Sequence, residues 1–130
     1  MSANLDLVRS IYASWARGDF TNGEWADPEI EWVSIEGPDP GRMSGLAAVA
    51  ELNRDFLSAW RDWRVIAEEL RALDDERTLV LTRRIGQGKV SGAEVDEPAA
   101  NVVHVRDGRV FRLVFYWDRD RALADLGLEQ

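Results

Sequence analysis

The 130-residue chain carries 24 acidic against 16 basic side chains, a net charge of −8, which disfavours phosphate backbones and anionic lipid, so neither nucleic acid nor a membrane surface is an expected partner. It has no cysteine and one histidine, which excludes a thiolate nucleophile, a disulfide scaffold and a metal site built on two or three histidines; no metal and no cofactor is expected. The length suits one domain, 1–130, and no apolar run approaches the roughly 18 residues that span a bilayer.

The first element is a helix. Leu5, Val8, Ile11, Tyr12 and Trp15 fall on one stripe at helical spacing over residues 4–17, and Gly18 stands where a C-terminal cap belongs. "TNGEWADPE" suggests a short second helix broken by Pro28, and "EIEWVSI" (29–35) reads as a strand. "EGPDPGRMSG" is a glycine- and proline-rich loop. Ser44 can cap a helix over 45–60, where Val49, Leu52, Phe56 and Trp60 share a face. From Trp63 the period changes to that of strands, at about 64–73, 77–86, 90–105 and 109–117, with breaks at "LDDERT" and "GQGKVSG". Asp118 can cap a last helix ending at Gly127. The order α-α-β-α-β-β-β-β-α implies a curved, mostly antiparallel sheet packed on helices, an α+β fold. "MSANLDLVRS" lacks the basic-then-apolar pattern of a secretory signal, so a cytoplasmic protein is expected.

"NVVHVRDGRV" holds the only histidine, His104, in a run of valines. Asp107-Gly108 between two β-rich runs predicts a two-residue hairpin with Arg106 opposite Arg109. An unbroken ladder then sets His104 against Phe111 and Val102 against Leu113. One face carries Val102, His104, Phe111, Leu113, Phe115 and Trp117, and the other Val103, Val105, Val110, Arg112, Val114 and Tyr116. A bulge in the turn would shift this register. Both faces are largely apolar, whereas one helical layer covers only one. A homodimer through Val103, Val105, Val114 and Tyr116 is therefore expected.

"GRMSG" lacks the G-x-S-x-G spacing of a nucleophile elbow, and "GQGKVSG" lies between two strands with no helix N-terminus to complete a phosphate cradle. Six tryptophans offer large flat apolar faces, either as core or as the lining of a cavity for an apolar or aromatic molecule.

The helix ending in "SWARGD", the "ADPEIEW" strand start, the "GRMSGLAAV" loop-to-helix step and the terminal "HVRDGRVFRLVFYWDRDRALADLGL" together resemble SnoaL-like proteins of the nuclear transport factor 2-like superfamily, which also holds the ketosteroid isomerases. The resemblance covers nearly the whole chain. It implies an α+β cone, a bent sheet wrapped around a long helix, enclosing a deep apolar pocket. It implies a pocket wall of Tyr12, Trp15, Trp32, Phe56, Trp60, Val102, Leu113, Phe115 and Trp117, with Val80, Thr82 and Arg84 on the pocket side of their strand. The ketosteroid isomerase machinery does not carry over: its base aligns near Trp32, its tyrosine donor near Ile11 and its protonated aspartate near Val102. An epoxide hydrolase site would need carboxylates flanking an arginine; Arg84 supplies only the arginine. His104 is either a satisfied core imidazole or, on this resemblance, the general acid or base, with Arg84 or a wall hydroxyl as the stabiliser of developing oxyanion charge. The expected activity is that of a lyase, isomerase or cyclase acting on an apolar carbonyl or polyketide-like compound. The alternatives are a non-catalytic binder of an aromatic or apolar small molecule, and a dimerisation module. Fold alone does not choose among them.

Overall fold

The structure, a computed structural model, describes residues 3–21, 23–35 and 41–128. Helix α1 (Ala3–Ala16) is followed by strands β1 (Ala26–Ser34) and β2 (Gly41–Ser44), helix α2 (Leu46–Leu57), strands β3 (Trp60–Ala72), β4 (Arg77–Gly88), β5 (Glu94–Arg106) and β6 (Arg109–Tyr116), and helix α3 (Arg119–Asp125). The strands form one sheet in the order β2-β1-β6-β5-β4-β3. Among the described residues only the β1–β6 pair is parallel. The class is α+β, a mixed open sheet with helices against it, as expected.

Helix α1 buries the predicted stripe of Val8, Ile11, Tyr12 and Trp15. It ends as its sequence dictates. Gly18 sits at φ 79°, its N–H donates to the Trp15 carbonyl, and the Asp19 N–H donates to the Ser14 carbonyl. That pair of bonds is the Schellman closure, which needs a left-handed residue and so favours glycine.

The short second helix is replaced by a turn and a strand. Residues 24–25 turn and β1 begins at Ala26; Asn22 lies outside the described residues. Pro28 explains the outcome. It cannot donate to a ladder and it drives Asp27 to extended backbone, so the segment joins the sheet but its register to β6 breaks between Ala26 and Glu31. The expected loop at 36–45 is also partly strand. Gly41–Ser44 pairs with β1, while 36–40 lie outside the described residues. Ser44 does not cap α2; Gly45, at φ 96°, holds that position without a side-chain bond. Trp60 opens β3 rather than extending α2. Asp118 caps α3 as expected, its side chain accepting from the Asp120 N–H.

The hairpin turn is as read: Asp107 and Gly108 both have positive φ and Arg106 pairs with Arg109. The ladder beyond it is not. Val105 pairs with Val110, but His104 pairs with Arg112 and Val102 with Val114, so Phe111 is an extra residue in β6. One inserted residue exchanges the faces of everything beyond it. Val103, Val105, Val110 and Leu113 therefore share the inner core with α1, together with Ile30 and Val80. Val102, Val114 and Tyr116 lie on the outer face.

That outer face is covered within the chain. Ala122 and Leu123 of α3, with Leu126 and Leu128 behind them, pack on Val33, Leu79, Ala100, Val102 and Val114. Arg119 ties the helix down: its guanidinium donates to the Ala99 and Thr82 carbonyls and pairs with Glu68. The surface from which a homodimer was expected is thus divided. Val103 and Val105 point inward, and Val114 and Tyr116 lie under α3. No helix among the described residues is long and apolar enough to cross a membrane.

Candidate functional site

The concave face of the sheet, closed by α1 and α2, encloses a cavity of about 200 Å³. Trp15 and Phe20 line it from α1 and the segment after it, and Trp32 and Ser34 from β1. Helix α2 contributes Leu52, Asn53 and Phe56. Across the sheet, Trp63 and Val65 of β3, Thr82 and Arg84 of β4, Ala99 and Asn101 of β5, and Phe115 to Trp117 complete the wall. Alternation places these side chains: Thr82 pairs with Ala99, Arg84 with Glu97, and Asn101 with Phe115. The apolar part is built from aromatic pairs. Trp32 and Phe115 have ring centroids 4.6 Å apart, and Phe56 meets Trp63 edge-on at 4.9 Å. Leu52, Phe56 and Trp117 remain exposed at the rim.

Among the expected wall residues, Trp15, Trp32, Phe56, Phe115, Trp117 and Arg84 do border the cavity. Val102 does not, because the Phe111 bulge turns it outward. Leu113 and Val80 are buried in the core beneath the cavity rather than at its surface. Trp60 is displaced by Trp63. Asp62, at φ 53°, marks a bulge in β3 between Arg61 and Arg64, and the Trp63 ring lies over Gly86, where a Cβ would come within 2.5 Å of it. Tyr12 stands behind the wall and donates its hydroxyl to Asn101 Oδ1 at 2.6 Å.

His104 is the main correction. It lies outside the cavity, on the outer face beside Arg77 and Arg112, with its ring 5.7 Å from that of Phe111. Burial, then the guanidinium groups of Arg112 and Arg77, hold its pKa below the usual imidazole value against the weaker pull of Asp74 and Glu76. It cannot serve as acid or base for a molecule in this cavity.

The polar groups that do reach the wall are chiefly hydrogen-bond donors. Tyr12 fixes the Asn101 amide, whose Nδ2 gives one bond to the Ala100 carbonyl and keeps a second hydrogen. Burial holds the Tyr12 phenol well above its ordinary pKa, so it remains a neutral donor. Asn101 escaped the sequence reading because the unbulged ladder turned it away from the pocket. The tyrosine and aspartate positions expected at Ile11 and Val102 each fall one residue away from a bonded pair, Tyr12 and Asn101. Thr82 Oγ1 and Arg84 Nε are buried beside the cavity with no hydrogen-bond partner among the described residues. Arg84 pairs with Glu97 at 2.9 Å and lies over the Trp117 ring, 4.4 Å from its centroid. Burial pushes its pKa down, and Glu97 partly restores it. The wall contains no Asp, Glu or His among the described residues. No group of three or more His, Asp or Glu side chains among them could hold a metal ion.

The family model described as the SnoaL-like domain matches residues 8–113. An NTF2-like protein of unknown function from Burkholderia pseudomallei superposes with TM-score 0.77 at 22% identity, covering 95% of this chain and 97% of that one. A protein from Jannaschia, provisionally assigned as a SnoaL-like polyketide cyclase, superposes with TM-score 0.77 at 14% identity over 98% and 94% of the two chains. TerC, co-crystallised with polyporic acid, gives TM-score 0.76 at 20% identity over 97% and 99%. No curated protein matches at a significant level. The sequence match, spanning most of the chain, and the shared cone of sheet and helices agree: this chain belongs to the SnoaL-like family, with the nuclear transport factor 2-like fold.

Proposed function

We propose that the chain is a small-molecule pocket protein that receives a planar, mostly apolar molecule bearing an oxygen acceptor. The observation that carries this reading is the composition of the wall. Four tryptophans and three phenylalanines supply flat apolar surface, while Arg84, Asn101 and Thr82 supply donors. A volume of about 200 Å³ exceeds the roughly 150 Å³ of an engineered apolar cavity that takes up benzene, so one or two fused rings are of the right size. TerC, of the same fold, was co-crystallised with a small organic molecule, polyporic acid.

Binding is favoured over acid–base turnover because no carboxylate or imidazole among the described residues lines the cavity. The second reading is a cyclase or isomerase in which Arg84 and Asn101 stabilise an enolate. The bonded Tyr12–Asn101 pair favours it, since a preorganised donor needs no reorientation as charge develops.

The test is calorimetric titration with a neutral two-ring ketone, 2-acetylnaphthalene. Micromolar to submillimolar binding is expected. Trp32→Phe and Trp63→Phe should weaken it several-fold, whereas Trp60→Phe should leave it within about twofold, since Trp60 lies outside the wall. Equal losses from all three would reject this placement of the site.

A further inference from the structure

The Arg84 side chain is only 13% exposed, yet its ion-pair partner Glu97 is 60% exposed. Arginine has five N–H donors in a planar fork. Among the described residues only one Arg84 side-chain hydrogen bond forms, from Nη2 to Glu97 Oε1 at 2.9 Å. A single bond to a solvated carboxylate is weak return for sinking a guanidinium into an aromatic wall. The remaining donors include Nε, buried with no acceptor, and the hydroxyl of Thr82, two residues along the same face of β4, is buried without a partner as well. Thr82 is 1% exposed, and Trp117 covers one side of the guanidinium, whose remaining edge borders the cavity. Arg84 is the only charged side chain in the wall among the described residues, and no carboxylate there opposes an incoming anion.

We propose that the cavity takes its ligand as an aromatic carboxylate, with the rings among the tryptophans and the carboxylate received by the Arg84 fork. Planar, bidentate pairing is what this fork geometry offers a carboxylate. Glu97 is the resident competitor: it occupies one donor and moves into solvent when the ligand anion arrives. This inference rests on the pocket reading above and adds the charge of the ligand to it.

The experiment compares 2-naphthoate with 2-acetylnaphthalene, which has nearly the same shape and no charge, by titration calorimetry on the full chain at neutral pH. The wild type should bind 2-naphthoate about tenfold or more tightly than the ketone, the ordinary gain of a charge-assisted bond. Arg84→Met should remove that preference, costing naphthoate at least tenfold more affinity than it costs the ketone, which keeps its ring contacts and the Asn101 donor. Arg84→Lys, which retains the charge but not the fork, should keep only part of it. Glu97→Gln changes an exposed position, so folding is not at risk; it should raise naphthoate affinity several-fold and leave the ketone unchanged. Ketone binding without any preference for 2-naphthoate would overturn the anion site and leave the pocket reading standing. No binding of either compound would overturn both. A Glu97→Gln variant with unaltered naphthoate affinity would overturn the competition.

Discussion

His104 lies between two guanidinium groups on the outer face, and its lowered pKa has a direct consequence for stability. The folded state binds the imidazole proton more weakly than the unfolded chain does. As the pH falls below the unfolded value of about 6.5, the unfolded state takes up more protons and stability is lost; above that value the penalty vanishes. His104→Gln should therefore reduce the loss of stability between pH 7.5 and pH 5.5, measured by urea unfolding at the two values. The variant's affinity for 2-acetylnaphthalene at pH 7.5 should match wild type. An identical pH response in both proteins would contradict the desolvated placement. Lost ligand binding in a folded variant would return His104 to the cavity.

Among the elements, β3 carries two inserted residues, one between Arg61 and Arg64 and one between Ala67 and Glu69, and β6 carries one, and these decide what each strand presents. In β6 the extra Phe111 exchanges the faces of the hairpin. In β3 the bulge at Asp62 brings Trp63 over Gly86 and into the cavity wall. Gly86→Ala would place a Cβ 2.5 Å from Trp63 Cε3. The φ of Gly86 is not in the left-handed region, so the effect would be steric rather than conformational. The ring must move. A loss of about 1–3 kcal/mol is expected, the usual range for overpacking, together with weaker ketone binding as Trp63 is driven from its position. Unchanged urea unfolding and unchanged titration would show that the wall tolerates the added methyl, and would remove Trp63 as a fixed part of the site.

At the scale of the whole molecule, one apolar sheet is sandwiched between unequal covers, α1 and α2 inside and the seven-residue α3 outside. So short a helix suffices because the leucines after it extend the cover and Arg119 anchors it to two strand carbonyls. Leu123 is 5% exposed at the centre of this contact. Leu123→Asp should bury an unpaired charge or lift the helix, costing several kcal/mol. If α3 lifts, Leu79, Val102 and Val114 become a free apolar face, and light scattering should show concentration-dependent association beyond the wild-type mass. A variant with wild-type mass and wild-type melting would mean that α3 contributes little to covering the sheet.

Features that depend on local chemistry are legible in the chain. The helical stripe from Val8 to Trp15, the Gly18 stop, the Asp107-Gly108 turn, the Asp118 cap and four successive long strands follow from side-chain period and from residues with restricted backbones. The family resemblance rested on those same landmarks, and Arg84, Trp15, Trp32 and Phe115, which it grouped, border one cavity. On which side of the sheet the remaining residues fall depends instead on long-range strand pairing. Side chains alternate with a period of two, so a single inserted residue reverses every assignment beyond it, and neither Phe111 nor Asp62 carries a local signal that it is the insertion. Pro28 likewise reads as a break in any element; the vacant edge of β6 is what made its segment a strand. The bulge in β6 sent His104 and Val102 outward, and those in β3 and β6 together brought Trp63 and Asn101 to the cavity, because register belongs to the ladder and not to the strand.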